Sequence, residues 1–350
     1  MTYPTATLAA SDYPTALAAA IAAINARLKG NLLINGAFQI WQKGTSIAGA
    51  AAAATGTVDG WNFCRSGFAA GATISRQTGS NARYCARLQR DNSNSSTATI
   101  YFAQSIETAD SIPYRSKAIS LKFRARKGAN YSATSDALQY FLQTGTGTDE
   151  SVNASLTGAT NIASGTVTLT TSWQTFEIAA ATPGASITQI GVRFAFDPVG
   201  TAGAADYVEI EQVQLVADSY AGDFPYKSDA EELALCQRRF SKSFILATAP
   251  AQNVGGGTGE MIFPATKATT GTNYSPRVPF PVRMRATPSV TIYNPSATNG
   301  QVRDATASGD CSSTAANIGS ESGFYVSCAG NGSGAVGNAL AFHWAASAEL

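Results

Sequence analysis

The residues closest to a catalytic arrangement are the single histidine, His343, and two nearby glutamates, Glu209 and Glu211. A hydrolytic triad needs a histidine as general base, but no G-x-S-x-G nucleophile elbow precedes His343, which falls in a predicted strand. A glycosidase needs two carboxylates across a cleft, whereas Glu209 and Glu211 are two residues apart on one face of a strand that we expect to be solvated. We therefore predict that the protein is not an enzyme and has no catalytic residues.

The cysteines and glycines offer little further chemistry. Cysteines stand at positions 64, 85, 236, 311 and 328, without C-x-x-C spacing. Such a scattered, odd set favours small buried side chains over a zinc site or a disulfide framework; Cys311 and Cys328 are a possible cross-strand pair. The GGGTG run at 255–259 lacks the Lys-Ser/Thr ending of a phosphate loop, and no D-x-D-x-D run indicates calcium. We predict no cofactor and no metal.

Sugar binding by β-sandwiches depends on exposed aromatic rings with amide and hydroxyl groups nearby. The candidates by residue type are Trp41, Trp61, Tyr101 and Tyr140. For each of them the alternative is core packing, because Trp and Tyr also fill sandwich cores.

Composition limits the partners. Of the 350 residues 13% are charged, and the formal net charge is +1. Nucleic acids and anionic membranes select a strong basic excess, so we expect neither as a partner. No apolar run approaches the roughly 20 residues of a membrane span, and the Ala-rich start does not resemble a signal peptide. We expect synthesis in a cytoplasm.

Residues 14–29 predict a short helix with a narrow apolar seam. The seam has a four, three, four spacing and consists of Leu17, Ile21, Ile24 and Leu28. Two heptads cannot hold an isolated helix in water, and isoleucine at both core positions favours three or four strands over two. We predict that residues 1–30 form an oligomerisation or attachment helix; the alternative is a helix packed on its own domain.

Residues 31–227 predict an antiparallel, jelly-roll-like β-sandwich, because short alternating segments are separated by Gly, Ser, Thr and Asn. In the segment 119–126, Lys122, Arg124 and Arg126 alternate with apolar residues, so we expect a buried face and a solvated cationic face. In the segment 207–215, the alternation places Val208 and Ile210 on one face and Val213 and Leu215 on the other.

The rest of the chain predicts a connecting helix at 228–240 and a second, small β domain at 241–350. Ser228 or Asp229 has a glutamate three residues later, which is capping-box spacing. Candidate strands in the second domain lie at 244–247, 261–263, 278–282, 289–293, 323–327 and 339–344. The longest polar loop is expected at 294–320, and this loop is where we expect surface recognition.

Three stretches resemble one family of proteins. They are NLLING at 31–36 with IWQKG at 40–44, the strand, turn and helix EIEQVQLVADSYAGDFPYKSDAEELALCQRRF at 209–240, and FHWA through AEL at 342–350. These are similar to segments of tail-fibre and head-fibre type virion proteins of tailed bacteriophages. The run SWQTF at 172–176 also resembles a strand of the jelly-roll carbohydrate-binding modules.

The resemblance implies a structural virion protein: a homotrimeric fibre or projection that attaches to other virion proteins through its N-terminal region and takes part in host attachment, with a cell-surface glycan as a candidate partner. Location on the tail or the capsid stays open. The alternatives are a capsid decoration protein without a receptor role and a soluble carbohydrate-binding module. A polysaccharide depolymerase would need a β-helix repeat or a carboxylate cleft, and neither is visible.

Overall fold

The computed structural model describes residues 30–49, 55–56, 58–68 and 70–350. The predicted N-terminal helix, with its seam of Leu17, Ile21, Ile24 and Leu28, lies outside these residues. Within them the chain is mainly β, with antiparallel sheets and a few short helices. This architecture confirms the predicted fold class for the described part of the chain.

Two sheets face each other across the first hydrophobic core. Their strands, within the described ranges, are β1 (Ser46–Ala48), β2 (Thr55–Gly56), β3 (Asn62–Arg65), β4 (Ala72–Thr78), β5 (Tyr84–Arg90), β6 (Ile100–Ile106), β7 (Ile119–Lys127), β8 (Ala137–Gly145), β9 (Thr160–Thr168), β10 (Gln174–Ala181), β11 (Gln189–Phe196) and β12 (Tyr207–Val216). The first sheet has the order β1-β4-β5-β12-β7-β10 and the second the order β2-β3-β6-β11-β8-β9.

Aromatic rings fill the space between the two sheets. Trp61 stacks on Phe102 with ring centroids 4.7 Å apart, and Phe123 meets Phe194 edge-on at 4.8 Å. All four rings are buried. Full burial of one large apolar side chain stabilises the fold by about 1.5 to 3 kcal/mol, so this ring cluster accounts for a substantial part of the sandwich's stability.

The helices within the described residues are short. They are α1 (Thr108–Ser111), α2 (Asp229–Gln237) and 3-10 turns at Ser66–Phe68, Ile112–Tyr114 and Thr134–Asp136. The capping box predicted for α2 is present: Ser228 accepts a hydrogen bond from the Glu231 amide, and the Glu231 carboxylate accepts one from the Ser228 amide. The predicted connecting helix is therefore confirmed, although its helical part ends at Gln237.

The remaining strands surround a second core. In the described chain they are β13 (Phe240–Lys242), β14 (Met261–Pro264), β15 (Thr272–Tyr274), β16 (Val278–Pro279), β17 (Ser289–Tyr293), β18 (Arg303–Asp304), β19 (Gly309–Asp310), β20 (Ser312–Ser320), β21 (Gly323–Ala329) and β22 (Ala339–Ser347). β22 is central to one sheet, where it pairs with β13, β14, β17 and β18, and β21 is central to the other. The division of the chain at 31–227, 228–240 and 241–350 stays a prediction.

Two local predictions for this region are wrong. Residues 294–320 contain β18, β19 and β20 rather than one loop, and Val302 and Cys311 lie buried in the second core. The small polar side chains of β20 hide a strand that is defined by its pairing with β21. The strand expected at 244–247 instead lies at β13, where Phe240 opposes Ser347 of β22.

All five cysteines are buried free thiols, as predicted from their scattered positions. Burial raises the pKa of Cys64 to about 11 and that of Cys85 to about 12. Cys311 and Cys328 are not joined by a disulfide.

A buried polar network joins the segment around Gln42 and Asp59 to β13. Gln42 donates from its backbone and its side chain to Asp59, both at 2.6 Å, and its side-chain amide also donates to the carbonyl of Phe240 at 2.8 Å. Lys242 donates from Nζ to the carbonyl of Gln42 at 2.7 Å. Asp59 is fully buried, and this burial raises its pKa to about 6.

Arg90 organises one end of the sandwich from inside. Its side chain is fully buried, and Nη1 lies 2.9 Å from the Asp206 carboxylate, which is also fully buried. The guanidinium further donates to the Ser132 hydroxyl and to the carbonyls of Asn94 and Gly200. One cation thereby fixes three chain segments.

We predict that Arg90→Met lowers the free energy of unfolding by about 3 to 5 kcal/mol, because it leaves the Asp206 carboxylate buried without its counter-ion. The matched control is Arg83→Met, since Arg83 pairs with Asp229 on the surface, where water and salt screen the pair and its contribution is small. Chemical denaturation measures both values. Equal losses in the two variants would contradict the role assigned to Arg90.

Candidate functional site

Strand β12 is interrupted by a β-bulge in the middle of the first sheet. Glu211 opposes Arg124 of β7 and Gln214 opposes Lys122, so Gln212 and Val213 together face Phe123 alone. Gln212 takes a left-handed conformation with φ of 51°. Bulges and residues in such conformations concentrate near functional sites, which makes this point of the sheet a candidate site.

The bulge overturns one prediction from the sequence. Val208, Ile210, Val213 and Leu215 all lie buried in the first core, although strict alternation would place them on opposite faces. One extra residue shifts the alternation by one position. The switch from even to odd apolar positions after Ile210 was therefore the sequence signal of a bulge.

The NLLING segment fixes the bulged strand on its other side. Asn31 donates from its side chain to the Val213 carbonyl at 2.9 Å, and the Val213 amide donates to the Gly36 carbonyl at 2.8 Å. A β-carbon on Gly36 would come within 2.1 Å of the Val213 carbonyl oxygen. Only glycine permits this close approach, so the bulge and the segment beside it depend on each other.

A cleft of about 340 Å³ opens beside the bulge. It is formed by the bulged strand, by β7 and β10, by the loop before β5 and by the segment that follows β12. The lining residues are Asn81, Lys122, Phe123, Arg124, Thr175, Gln212, Gln214, Asp223, Phe224 and Tyr226.

Tyr226 forms an aromatic wall of the cleft, and 50% of its surface remains exposed. Its hydroxyl donates to the Asn81 carbonyl at 2.8 Å and accepts from Gln212 Nε2 at 2.7 Å. Phe224 supports the ring edge-on at 4.8 Å. Burial raises the pKa of Tyr226, which keeps the hydroxyl protonated, so the ring is held in place while its surface stays accessible.

Gln214 contributes an unsatisfied acceptor at the floor of the cleft. The residue is 1% exposed, its Nε2 donates to the Gly222 carbonyl at 3.0 Å, and its Oε1 has no hydrogen-bond partner. A buried acceptor without a donor costs about 1 to 3 kcal/mol. The acceptor is shielded from molecules in the cleft as it is from bulk water, so this cost belongs to the fold of the bulge.

The charges around the cleft nearly balance. Lys122 donates to the Gly222 carbonyl at 2.6 Å, Arg124 pairs with Glu211, and Asp223 is an exposed carboxylate. Asp223 is the one carboxylate among the described residues that line the cleft. The cleft is suited to a neutral, hydroxylated ligand.

The two arginines of the cationic face of β7 and the two glutamates of β12 form one ion-pair ladder, not a solvated surface. Glu209 accepts from Arg87 and from Arg126, at 2.8 Å and 2.6 Å, and Glu211 pairs with Arg124. Glu209 and Glu211 are fully buried. The expectation of a wet face was wrong because arginines on the neighbouring strands β5 and β7 cover both carboxylates, which are consequently unavailable for catalysis.

The four aromatic residues proposed from the sequence do not line the cleft. Trp41 and Trp61 are buried and cannot present a ring face to a ligand, so their proposed role as glycan contacts is corrected. Tyr140 packs at the margin of the first core. Tyr101 lies on the second sheet, next to Arg193.

Sequence reasoning missed Tyr226, Gln212 and Gln214 as site residues. Tyr226 was visible as part of the FPY turn, but nothing in the turn shows which wall the ring forms. The switch of the apolar residues of β12 from even to odd positions was the available sequence signal for Gln212 and Gln214.

His343 is a packed strand residue, as predicted. It is fully buried and stacks on Phe244 with ring centroids 4.2 Å apart. Its Nδ1 lies 3.1 Å from the Ser243 hydroxyl and its Nε2 lies 3.1 Å from the Thr258 hydroxyl. Burial lowers the pKa of His343, so the ring is neutral at pH 7.

Two further features are missing from the described residues. These residues hold no group of three or more His, Cys, Asp or Glu side chains arranged for a metal ion. None of the helices in this part of the chain has the length and apolar character needed to cross a membrane.

Comparison with known proteins gives distant structural likenesses. No protein-family model matches the sequence, and no curated protein matches it. A carbohydrate-binding module, CBM4, is 19% identical with a TM-score of 0.34, and the match covers 52% of this chain and 97% of that one. The enzymatically active domain of tailspike protein 4 of Bacteriophage CBA120 is 11% identical with a TM-score of 0.33, over 53% of this chain and 21% of that one. TmCBM61 in complex with β-1,4-galactotriose is 16% identical with a TM-score of 0.30, over 54% and 99%. Likenesses at these values carry no inference about the site.

The bulge predicts an unusual tolerance to deletion. Removing Gln212 restores regular alternation, so Val213 and Leu215 should stay in the core, and we expect the free energy of unfolding to fall by about 1 kcal/mol for each of the three hydrogen bonds at risk, which are those to Tyr226, Asn31 and Gly36. The control is deletion of Ala195 from the regular strand β11, which would turn Phe196 out of the core. Thermal and chemical unfolding measure both variants. Loss of cooperative unfolding in the Gln212 deletion would contradict this account of the bulge.

Proposed function

We propose that this chain is a non-enzymatic structural protein of a tailed-phage virion, a trimeric fibre or projection that binds a neutral glycan of the host surface in the cleft beside the bulge. The observation that carries the binding proposal is the half-exposed ring of Tyr226, which two hydrogen bonds hold in place beside the polar side chains of the cleft. A sugar matches this cleft, because its C–H face packs against an aromatic ring and its hydroxyls can form hydrogen bonds with polar lining residues such as Thr175 and Asp223.

The virion assignment has separate support. It comes from the segments at 31–44, 209–240 and 342–350, which resemble tail-fibre and head-fibre proteins. In the described chain these segments lie together: the Glu232 carboxylate accepts from the Asn35 amide, and the Ala348 amide donates to the Arg239 carbonyl at 2.8 Å. The three segments thus support a single structural unit rather than three unrelated matches.

Glycan binding is tested by titrating the full chain with a panel of neutral trisaccharides built from glucose, galactose, mannose or xylose, using calorimetry. We expect at least one to bind, and we expect Tyr226→Ala to weaken that binding by about tenfold, the effect of losing roughly 1.4 kcal/mol of ring contact. No new reducing ends should appear during the incubation.

The matched control is Tyr274→Ala, because Tyr274 is also an exposed tyrosine, at 58%, but belongs to β15 in another sheet. This variant should bind as the wild type does. Absence of binding to every trisaccharide, or equal affinity in Tyr226→Ala and the wild type, would refute the cleft as a glycan site.

Trimer formation is tested at the predicted N-terminal seam. Light scattering should give three times the chain mass for the wild type, and replacing Ile21 and Ile24 together by Asp should give the monomer, because charges buried in an apolar seam are costly. Replacing Ala19 and Ala26, which lie opposite the seam in the same heptad register, by Asp provides the matched control and should leave the trimer mass unchanged. A monomeric wild type would refute the proposal.

A further inference from the structure

Arg193 lies on the outer face of the second sheet, on the side of the sandwich away from the cleft. It belongs to β11, where it opposes Ala103 of β6 and Phe141 of β8. Its neighbours Val192 and Phe194 are fully buried in the first core. Because side chains alternate along a strand, the Arg193 side chain points away from that core.

Two aromatic rings hold the guanidinium of Arg193. Its central carbon is 5.2 Å from the centroid of the Tyr101 ring and 4.7 Å from that of the Phe141 ring. Both distances are within the range of a cation–π contact. The planar fork is therefore fixed before any ligand arrives, which reduces the entropy lost when it forms hydrogen bonds.

In the part of the chain that the structure describes, no counter-ion accompanies this cation. Among the described residues Arg193 forms no ion pair, and its Nε is buried without a hydrogen-bond partner. Burial lowers the pKa of Arg193, and the side chains that act in the opposite direction are Tyr101 and Cys64 rather than a carboxylate. The residues outside the described ranges contain one acidic side chain, Asp12.

The first sheet shows the opposite arrangement. Its outer-face arginines Arg87, Arg124 and Arg126 all reach the carboxylates of β12. Arg193 occupies a comparable central position in the second sheet, yet none of the described residues provides a corresponding carboxylate. A half-buried, pre-positioned and unpaired guanidinium is complementary to an external anion, and its fork matches a carboxylate with two parallel hydrogen bonds.

We propose that Arg193 binds the carboxylate of an acidic sugar, with the rings of Tyr101 and Phe141 contacting the sugar's C–H surfaces. The flanking rings favour a sugar over a simple anion, because they provide apolar contact on both sides of the charged group. This second site extends the proposed function, but it uses no residue of the cleft, so each site can fail without the other.

The test uses trigalacturonic acid and its methyl ester, which share rings and linkages but differ in charge. We expect the acid to bind the full-length wild type in calorimetry, and both esterification and Arg193→Met to weaken binding by about tenfold or more. The affinity of Arg193→Lys for the acid should lie between those of the wild type and Arg193→Met, because lysine keeps the positive charge but lacks the planar guanidinium fork. Tyr226→Ala, on the other face, should bind the acid as the wild type does.

Three results would overturn the proposal: no binding of the acid to the wild type, equal affinity for acid and ester, or equal affinity in Arg193→Met and the wild type. Loss of acid binding in Tyr226→Ala would assign the acid to the cleft instead. A change of oligomeric mass in Arg193→Met, without any effect on acid binding, would identify the missing carboxylate as one from a second copy. If Arg193→Met unfolds, the ester and the lysine variant still decide the question.

Discussion

The described structure depends on one buried side chain, Gln42, which joins two acceptors that water cannot reach. Its amide bridges the carboxylate of Asp59 and the carbonyl of Phe240, while Lys242 returns to the Gln42 carbonyl. Low local polarity strengthens each of these hydrogen bonds and makes each one costly to lose. The sandwich and the following β unit are consequently held by directional contacts, which fix their relative placement more strictly than apolar packing would.

Sequence patterns were most informative where one local rule governs the outcome. The capping box at Ser228 and Glu231, the buried alternation of β7 and the thiols in the cores follow from spacing and side-chain size. Patterns failed where a partner distant in the chain decides the environment. The sequence pattern predicted a solvated face for Glu209 and Glu211, because the arginines that cover them lie more than 80 residues away in sequence. The sequence pattern predicted a loop where β20 lies, because its small polar residues form a strand only through pairing with β21.

The cleft lies between these extremes. Its residues come from five separate segments, so their meeting could not be predicted, but the bulge that creates it leaves a local trace in the apolar positions of β12. Trp41 and Trp61 illustrate the opposite limitation. A residue type compatible with sugar stacking is equally compatible with a core, and both tryptophans are buried. Exposure, which decides between these roles, is a property of the assembled sheets.

The surroundings of the Arg90 guanidinium resemble those of a bound metal ion. Its guanidinium is surrounded by a carboxylate, a hydroxyl and several backbone carbonyls, which is the kind of oxygen shell that a calcium ion gathers. Here the positive charge is covalently attached to the chain and cannot be diluted away or removed by a chelator. The contacts by which Arg90 holds these loops are therefore the same in calcium-poor fresh water as in calcium-rich surroundings.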